Sequence, residues 1–99
     1  MELITLDGTE VLTQEEKSLA NTLINKKFEK IKKHLRAEPY LRAMFKKYGK
    51  GEEKKKNSIH LSIKASNHNF KSEESGWNFG KTLNNALERI QSEIEHKLH

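Results

Sequence analysis

The chain has 99 residues and a formal net charge of +5 at pH 7, and 33% of its residues are charged. Apolar residues make up another 33%, below the usual share of a globular protein, so the core must be thin. The absence of cysteine excludes disulfides and thiolate metal sites and permits a reducing, cytoplasmic location. No apolar run is long enough for a membrane span or a signal-peptide core. We expect one domain over residues 1–99.

The charges are sorted along the chain. Residues 26–56 contain eleven Lys and two Arg against four Glu, a local balance of +9, whereas the rest of the chain has a balance of −4. Such a run is often only a solvated, lysine-rich surface. Gathered on one face, these cations would attract polyanions through long-range electrostatics and counterion release. The pattern therefore favours nucleic acid, and RNA in particular, as the partner.

The first predicted elements are a short strand and a long helix. Residues 2–6 are typical of a strand, which the turn pair Asp7-Gly8 ends. Thr13 and Glu16 have the spacing of a capping box, so a helix is expected to begin after Thr13. Apolar residues at helical spacing then form one stripe, which Pro39 ends. The stripe consists of Ala20, Ile24, Phe28, Ile31 and Leu35, with Lys26, Lys30 and Lys33 along one flank and Lys32 with Arg36 along the other.

Residues 40–48 fit two interpretations. As a helix, they would begin at Pro39 and end at Gly49, and local propensity favours this. As a strand, they would alternate between core and solvent, with Leu41, Ala43 and Phe45 facing inward. The outward side chains would then be Tyr40, Arg42, Met44, Lys46 and Tyr48. The wider order of elements favours the strand, which is our prediction.

The remaining residues predict a hairpin and a second helix. Residues 49–57 are expected to form a polar, mobile loop with no packing residue. Residues 58–65 alternate between apolar and polar side chains and clearly predict a strand. Residues 66–69 are of types common in turns, and residues 70–74 are expected to form a short, mostly polar edge strand. An apolar stripe from Phe79 to Leu98 predicts the second helix. The expected fold is α+β, of order β-α-β-β-β-α, with a four-stranded sheet and two helices packed on one face.

No catalytic set is visible. The five histidines are scattered without metal-ligand spacing, and the glycine turns lack the spacing of phosphate loops. No Ser or Thr has the context of a nucleophile. The acidic pairs Glu52-Glu53 and Glu73-Glu74 are expected on exposed loops. We predict a protein that is not an enzyme, with no metal ion, no cofactor and no small-molecule substrate.

Three aromatic side chains are candidates for stacking on nucleic-acid bases. Trp77, near the start of the second helix, is more typical of core packing or of an anchor for the helix end. Tyr40 and Tyr48 are better candidates, because the strand interpretation places them on the same face as Arg42 and Lys46.

Several segments, in this order of elements, resemble the short ribosome-hibernation factors, the ribosome-associated translation inhibitor family. The similarity begins at Leu3-Ile4-Thr5 and continues through the lysine-rich helix after Thr13 and the hairpin of residues 40–65. It is greatest in residues 70–74 (FKSEE), followed by Trp77 and residues 83–90 (LNNALERI). The resemblance spans nearly the whole chain as a diffuse pattern.

The resemblance implies binding in the messenger channel of the small ribosomal subunit. The occupied space would overlap the tRNA sites, so initiation would stop during dormancy. Such a role is steric and electrostatic and needs no catalytic set. The length resembles the short form of the family, which has no tail domain for pairing ribosomes.

The second helix departs from the family pattern, which commonly has several cations there. Arg89 keeps that character, whereas Ala86 and Glu93 occupy positions where lysine is expected. Glu88 and Glu95 add further negative charge. The expected rRNA footprint therefore moves toward the first helix and the loop of residues 49–57, or the function has diverged.

We predict an RNA-binding protein that contacts ribosomal RNA on the small subunit through phosphates. The alternatives are a double-stranded-RNA-binding module, whose chain usually begins with a helix, and a basic adaptor that docks on an acidic protein. The candidate contacts are Lys26, Lys30, Lys33 and Arg36 on the first helix, Arg42, Lys46 and Lys64 on the sheet, Lys54, Lys55 and Lys56 in the loop, and Arg89 on the second helix.

Overall fold

The computed structural model describes residues 3–35, 38–49 and 55–97. The elements follow the predicted order, with a short 3-10 turn at Thr9–Val11 after the first strand. They are β1 (Ile4–Asp7), α1 (Gln14–Leu35), β2 (Tyr40–Tyr48), β3 (Lys56–Ala65), β4 (His68–Gly76) and α2 (Phe79–Lys97). Within these ranges no helix is long and apolar enough to cross a membrane.

The four strands form one sheet in the order β1-β2-β3-β4. The β1–β2 pair is parallel, which requires a crossover connection, and α1 supplies it. The β2–β3 and β3–β4 pairs are antiparallel. Residues 40–48 are therefore a strand, as predicted. β1 and β3 provide hydrogen-bond partners for the backbone of β2 on both sides, and this tertiary pairing outweighs the local preference for a helix.

The start of α1 is fixed by the predicted capping box. The backbone N–H of Glu16 donates to Thr13 Oγ1 at 3.1 Å, and the backbone N–H of Thr13 donates to Glu16 Oε1 at 3.0 Å. Two amides that the helix cannot satisfy internally thus gain partners.

The start of α2 depends on Asn78 and Gly76. The Asn78 side-chain oxygen accepts from the Lys81 N–H at 2.9 Å, as an N-cap does. A Cβ at Gly76 would lie 2.6 Å from Thr82 Oγ1, so β4 can approach the first turn of α2 this closely only with glycine there.

The core is a single apolar layer between the two helices and one face of the sheet. The helices contribute the predicted stripes, and the strands contribute alternate residues. Its largest fully buried apolar side chains are Ile24, Ile31, Leu41, Ile59, Leu61, Ile63, Phe70, Leu83, Leu87, Ile90 and Ile94. The predicted α+β fold with both helices on one face is confirmed.

The prediction for residues 49–57 was wrong at its end. β3 begins at Lys56, two residues earlier than predicted, and Asn57 is buried. Its side-chain amide donates to the Gly76 and Trp77 carbonyls at 3.2 and 3.4 Å. This long-range bonding holds a polar residue in the sheet. Residues 50–54 lie outside the described parts of the chain.

Two further predictions near β4 were wrong. β4 extends beyond the predicted 70–74 at both ends. Glu73 and Glu74 lie within it, as the predicted strand implied, and the expectation of an exposed loop for this acidic pair was wrong. Trp77 is 64% exposed, because the adjacent Phe79 occupies the core position at the start of α2.

Replacing Thr13 with alanine removes one acceptor of the capping box, and we expect the free energy of unfolding to fall by about 1 kcal/mol. Urea denaturation followed by circular dichroism measures this loss. Thr22→Ala is the matched control, since its hydroxyl only donates to the Ser18 carbonyl within α1. That variant should stay within about 0.5 kcal/mol of wild type. Equal losses in both variants would contradict the role of the cap.

Candidate nucleic-acid interface

The candidate cations lie on two opposite faces of the domain. The helix face, formed by the outer surfaces of α1 and α2, has Lys26, Lys30, Lys33 and Arg89. The open face of the sheet, directed away from the helices, has Arg42, Lys46, Lys56 and Lys64. Lys55 is exposed just before β3. Arg36 and Lys54 lie outside the described residues. The described cations therefore do not form one continuous surface.

On the helix face, a groove of about 190 Å³ separates α1 from α2. Lys26 and Lys30 line it from α1, one helical turn apart, and Asn84 and Glu88 line it from α2. Lys33 is exposed one further turn along α1. Within the described residues none of these three lysines forms an ion pair, so their ammonium groups are available to phosphate.

Lys27 lies beneath this row and has a different role. Its side chain is only 11% exposed, and Nζ donates to Glu88 Oε1 at 2.8 Å and to Gln91 Oε1 at 2.7 Å. A buried ammonium requires such partners. The hydrogen bond and charge of Lys27, with Lys30 adding a smaller effect, lower the pKa of Glu88. Lys27 therefore joins α1 to α2 and is not a phosphate contact.

The acidic residues of α2 have partners within the molecule. Glu88 binds Lys27, and Glu95 Oε1 lies 3.8 Å from Nε2 of His34. Glu93 pairs with Lys97 at 3.2 Å, one helical turn later. The acidic side chains that distinguish this helix thus make contacts that link or stabilise the helices.

Arg89 remains accessible despite an ion pair. Its guanidinium is 3.3 Å from Glu74 Oε1, and its side chain is 66% exposed. The Glu74 side chain is 28% exposed, and the guanidinium end of the pair is in water, where ion pairs contribute little free energy. A phosphate could therefore replace the carboxylate at low cost.

Lys47 lies on the core side of β2, and it also forms an ion pair within the molecule. Its Nζ lies 2.7 Å from Glu16 Oε1, and both side chains are mostly buried. Burial alone would raise the pKa of Glu16. The hydrogen bond and charge of Lys47, with hydrogen bonds from Thr13, outweigh burial and place the pKa below its ordinary value of 4.5. This pair connects the first turn of α1 to the sheet.

The open face of the sheet combines cations with aromatic and apolar side chains. Arg42 forms an ion pair with Asp7 of β1, and His60 Nε2 lies 3.4 Å from Glu73 Oε1 of β4. Lys46 and Lys64 are exposed and have no ion pair with any described residue. Lys71 of β4 also lies on this face, opposite Ser62. The alternation of β4 could have identified Lys71 from sequence, but it was not among the candidates.

No group of three or more His, Asp or Glu side chains within residues 3–35, 38–49 and 55–97 could hold a metal ion. The arrangement on both faces instead suits phosphate binding by ammonium and guanidinium groups.

The Lys27–Glu88 pair predicts unequal costs for removing its two partners. Glu88→Ala leaves a buried ammonium with Gln91 alone, and we expect a loss of about 1–3 kcal/mol in the free energy of unfolding. Lys27→Met removes the buried charge and leaves the Glu88 carboxylate, which is 61% exposed, in water. Its cost should be below about 1 kcal/mol. Urea denaturation compares the two, with Glu93→Ala as a control in which the cation of the pair, Lys97, is 55% exposed. The reverse order would contradict this description.

The Glu16–Lys47 pair predicts an acid-sensitive contribution to stability. Because folding lowers the pKa of Glu16, its contribution is present above the ordinary value of 4.5 and disappears as the pH falls through the folded value. Glu16→Gln should therefore lose less stability than wild type between about pH 6 and about pH 3. Thermal unfolding across this range measures the difference. Glu15→Gln, exposed in the same turn, should follow wild type. If the stability of Glu16→Gln fell with pH as steeply as that of wild type, the acid-sensitive contribution could not come from Glu16.

Comparisons with known proteins bear on the fold. No protein-family model and no curated protein matches the sequence. Among solved structures, the N-terminal domain of protein Y from Thermus thermophilus is similar with a TM-score of 0.71 and 12% sequence identity, over 95% of this chain and 94% of that chain. A ribosomal subunit interface protein from Coxiella burnetii is similar with a TM-score of 0.64 and 14% identity, over 95% and 94%. At these identities the likeness establishes a shared fold, and it agrees with the resemblance found in the sequence.

Proposed function

We propose that this chain is a ribosome-associated RNA-binding protein. The observation that carries the proposal is the fold likeness over 95% of the chain to proteins that include a ribosomal subunit interface protein. The likeness also covers 94% of each of those two chains, so nearly all of this chain matches nearly all of each of them. The net charge of +5 suits an RNA partner.

In its specific form, the proposal is that the protein occupies the messenger and tRNA channel of the small subunit and inhibits translation during dormancy. The protein would act in the cytoplasm by blocking this channel sterically, through binding alone. The domain measures 45 × 27 × 19 Å and has cations on both broad faces. A thin body of this kind can contact RNA on two sides of a cleft.

The row of Lys26, Lys30 and Lys33 would supply the main contacts to ribosomal RNA. Seven residues of α-helix place the outer two roughly 10 Å apart along one flank. Ammonium groups at these intervals can contact successive phosphates of one backbone without reading sequence. Arg89 would add a contact from α2, and Lys54, Lys55 and Lys56 would add contacts from the β2–β3 connection and the start of β3.

The alternative of a double-stranded-RNA-binding module is disfavoured by β1. The sheet of such modules usually follows their first helix, whereas here the strand that precedes α1 belongs to the sheet and pairs with β2. The adaptor alternative predicts a protein partner that survives ribonuclease treatment of a pull-down, whereas an RNA-dependent partner would be lost.

Sedimentation of the tagged protein through a gradient of cell lysate tests ribosome association directly. We expect co-migration with small subunits or whole ribosomes at low salt, and its loss at high salt, since phosphate contacts release counterions. In a cell-free system, added protein should also reduce initiation. Absence from ribosomal fractions at low salt would overturn the proposal, and binding without inhibition would overturn its specific form.

Replacing Lys26, Lys30 and Lys33 together with glutamine should weaken ribosome binding and reduce the salt slope by about one unit for each phosphate that is no longer neutralised. Affinity measured at several salt concentrations gives that slope. Lys32→Gln is the control, since Lys32 lies on the opposite flank of α1 and should change the slope little. A triple variant with the wild-type slope would exclude this row as the interface.

The same measurement applies to Lys54, Lys55 and Lys56. Their joint replacement with glutamine should weaken ribosome binding and leave the thermal unfolding midpoint near that of wild type. Unchanged affinity at every salt concentration would remove this segment from the proposed footprint.

A further inference from the structure

We infer that the open face of the sheet is a second binding surface, separate from the helix face, and that its ligand is single-stranded RNA. This surface goes beyond the proposed function, because it binds unpaired nucleotides through base stacking as well as phosphates. Three observations carry the inference: the register of β2 against β3, a depression at the centre of the face, and the charge balance.

The register places an aromatic ring beside a cation at each end of the face. Tyr40 is directly opposite Lys64, and Tyr48 is directly opposite Lys56. Directly opposed side chains in an antiparallel pair have Cβ atoms about 5 Å apart. A base stacked on either ring would therefore have its phosphate within reach of the neighbouring ammonium group.

The two tyrosines are among the most exposed large hydrophobic side chains of the described residues. Tyr48 is 55% exposed and Tyr40 is 47% exposed. They are separated by eight residues of β2, a distance of roughly 27 Å in an extended strand. That distance leaves room for several nucleotides between them.

The centre of the face contains a depression of about 400 Å³. Its lining includes Met44, His60, Arg42 and Lys71, together with Glu73. The volume lies within the range of small-molecule sites and is sufficient for a base. Met44 provides apolar contact for the base, and the surrounding groups offer hydrogen bonds and positive charge.

The charge balance of the face favours a polyanion. Five Lys and Arg side chains point outward from its strands, against the two acids Asp7 and Glu73. Both acids already have partners, in Arg42 and His60. The five cations are Arg42, Lys46, Lys56, Lys64 and Lys71.

Single-stranded RNA fits these features better than a duplex or an acidic protein. A duplex keeps its bases stacked on one another, so exposed tyrosines would contribute nothing. An acidic segment of a protein would use the cations without requiring the rings. Interleaved aromatic and cationic groups on an open sheet are the combination by which proteins bind unpaired bases and their backbone together.

The test is fluorescence anisotropy with a labelled ten-nucleotide oligouridine, alongside an RNA duplex of the same length. We expect Tyr48→Ala to weaken binding of the single strand at least about fivefold, since loss of one stacked base has an effect of this size. Tyr48→Phe keeps the ring and should bind as wild type. Lys46→Gln should lower the salt slope by about one unit.

A charge outside both proposed surfaces provides the matched control. Lys32→Gln, on the opposite flank of α1, should change oligouridine binding little, and Tyr48→Ala should leave the thermal unfolding midpoint near that of wild type because the ring is exposed. The inference is overturned if wild type does not bind the single strand at low salt, or if Tyr48→Ala binds it as wild type does. Displacement of the oligonucleotide by polyglutamate at equal affinity would also overturn it, in favour of an acidic protein.

The two proposals fail separately. Ribosome sedimentation that persists while oligouridine binding is absent would overturn only the single-strand site. Oligouridine binding that persists while ribosome association is absent would overturn only the proposed function.

Discussion

The pairing of β2 with β3 determines both faces of this domain at once. The register that places Leu41, Ala43 and Phe45 in the core places the intervening side chains on the open face. Because side chains alternate with a period of two, a slip of one residue would bring Arg42 and Lys46 into the apolar layer. The cost of burying these charges fixes the register, and the register in turn fixes the spacing of the tyrosines and cations outside.

The position of a lysine in the fold, more than its position in the sequence, decides what it can bind. The basic segment of residues 26–56 extends over the C-terminal half of α1, all of β2 and the start of β3. Since α1 lies on one face of the sheet and half of β2 points to the other, charges that are close in sequence become separated by the core. Lys27 and Lys47 are further removed from the surface by their pairs with Glu88 and Glu16.

Local chemistry predicted the features that depend on neighbouring residues. The capping box at Thr13, the stripes of both helices and the alternation of β3 follow from spacing alone. Residues 40–48 needed the wider order of elements, because their pattern is compatible with a helix and only pairing with β1 and β3 decides it. Asn57 belongs to β3 because it pairs with both β2 and β4, and its side chain donates to carbonyls about twenty residues later. The exposure of Trp77 depends on Phe79, which fills the core position at the start of α2.

Of the candidate site, the sequence predicted the outward row of β2 and the exposed flank of α1. It could not predict their separation, which is a property of the tertiary fold. The spacing of Lys27, three residues after Ile24 and four before Ile31, did contain a signal of its burial.

The contact between Lys27 and Glu88 limits how this fold can vary. A basic residue at position 88 would place two cations together at the α1–α2 boundary, where the ammonium group of Lys27 has little access to water. A chain of this fold with a strongly basic second helix would therefore need an apolar or neutral residue at position 27. The two positions should change together among related sequences, and the nature of residue 27 would then indicate whether the second helix can tolerate positive charge at this boundary.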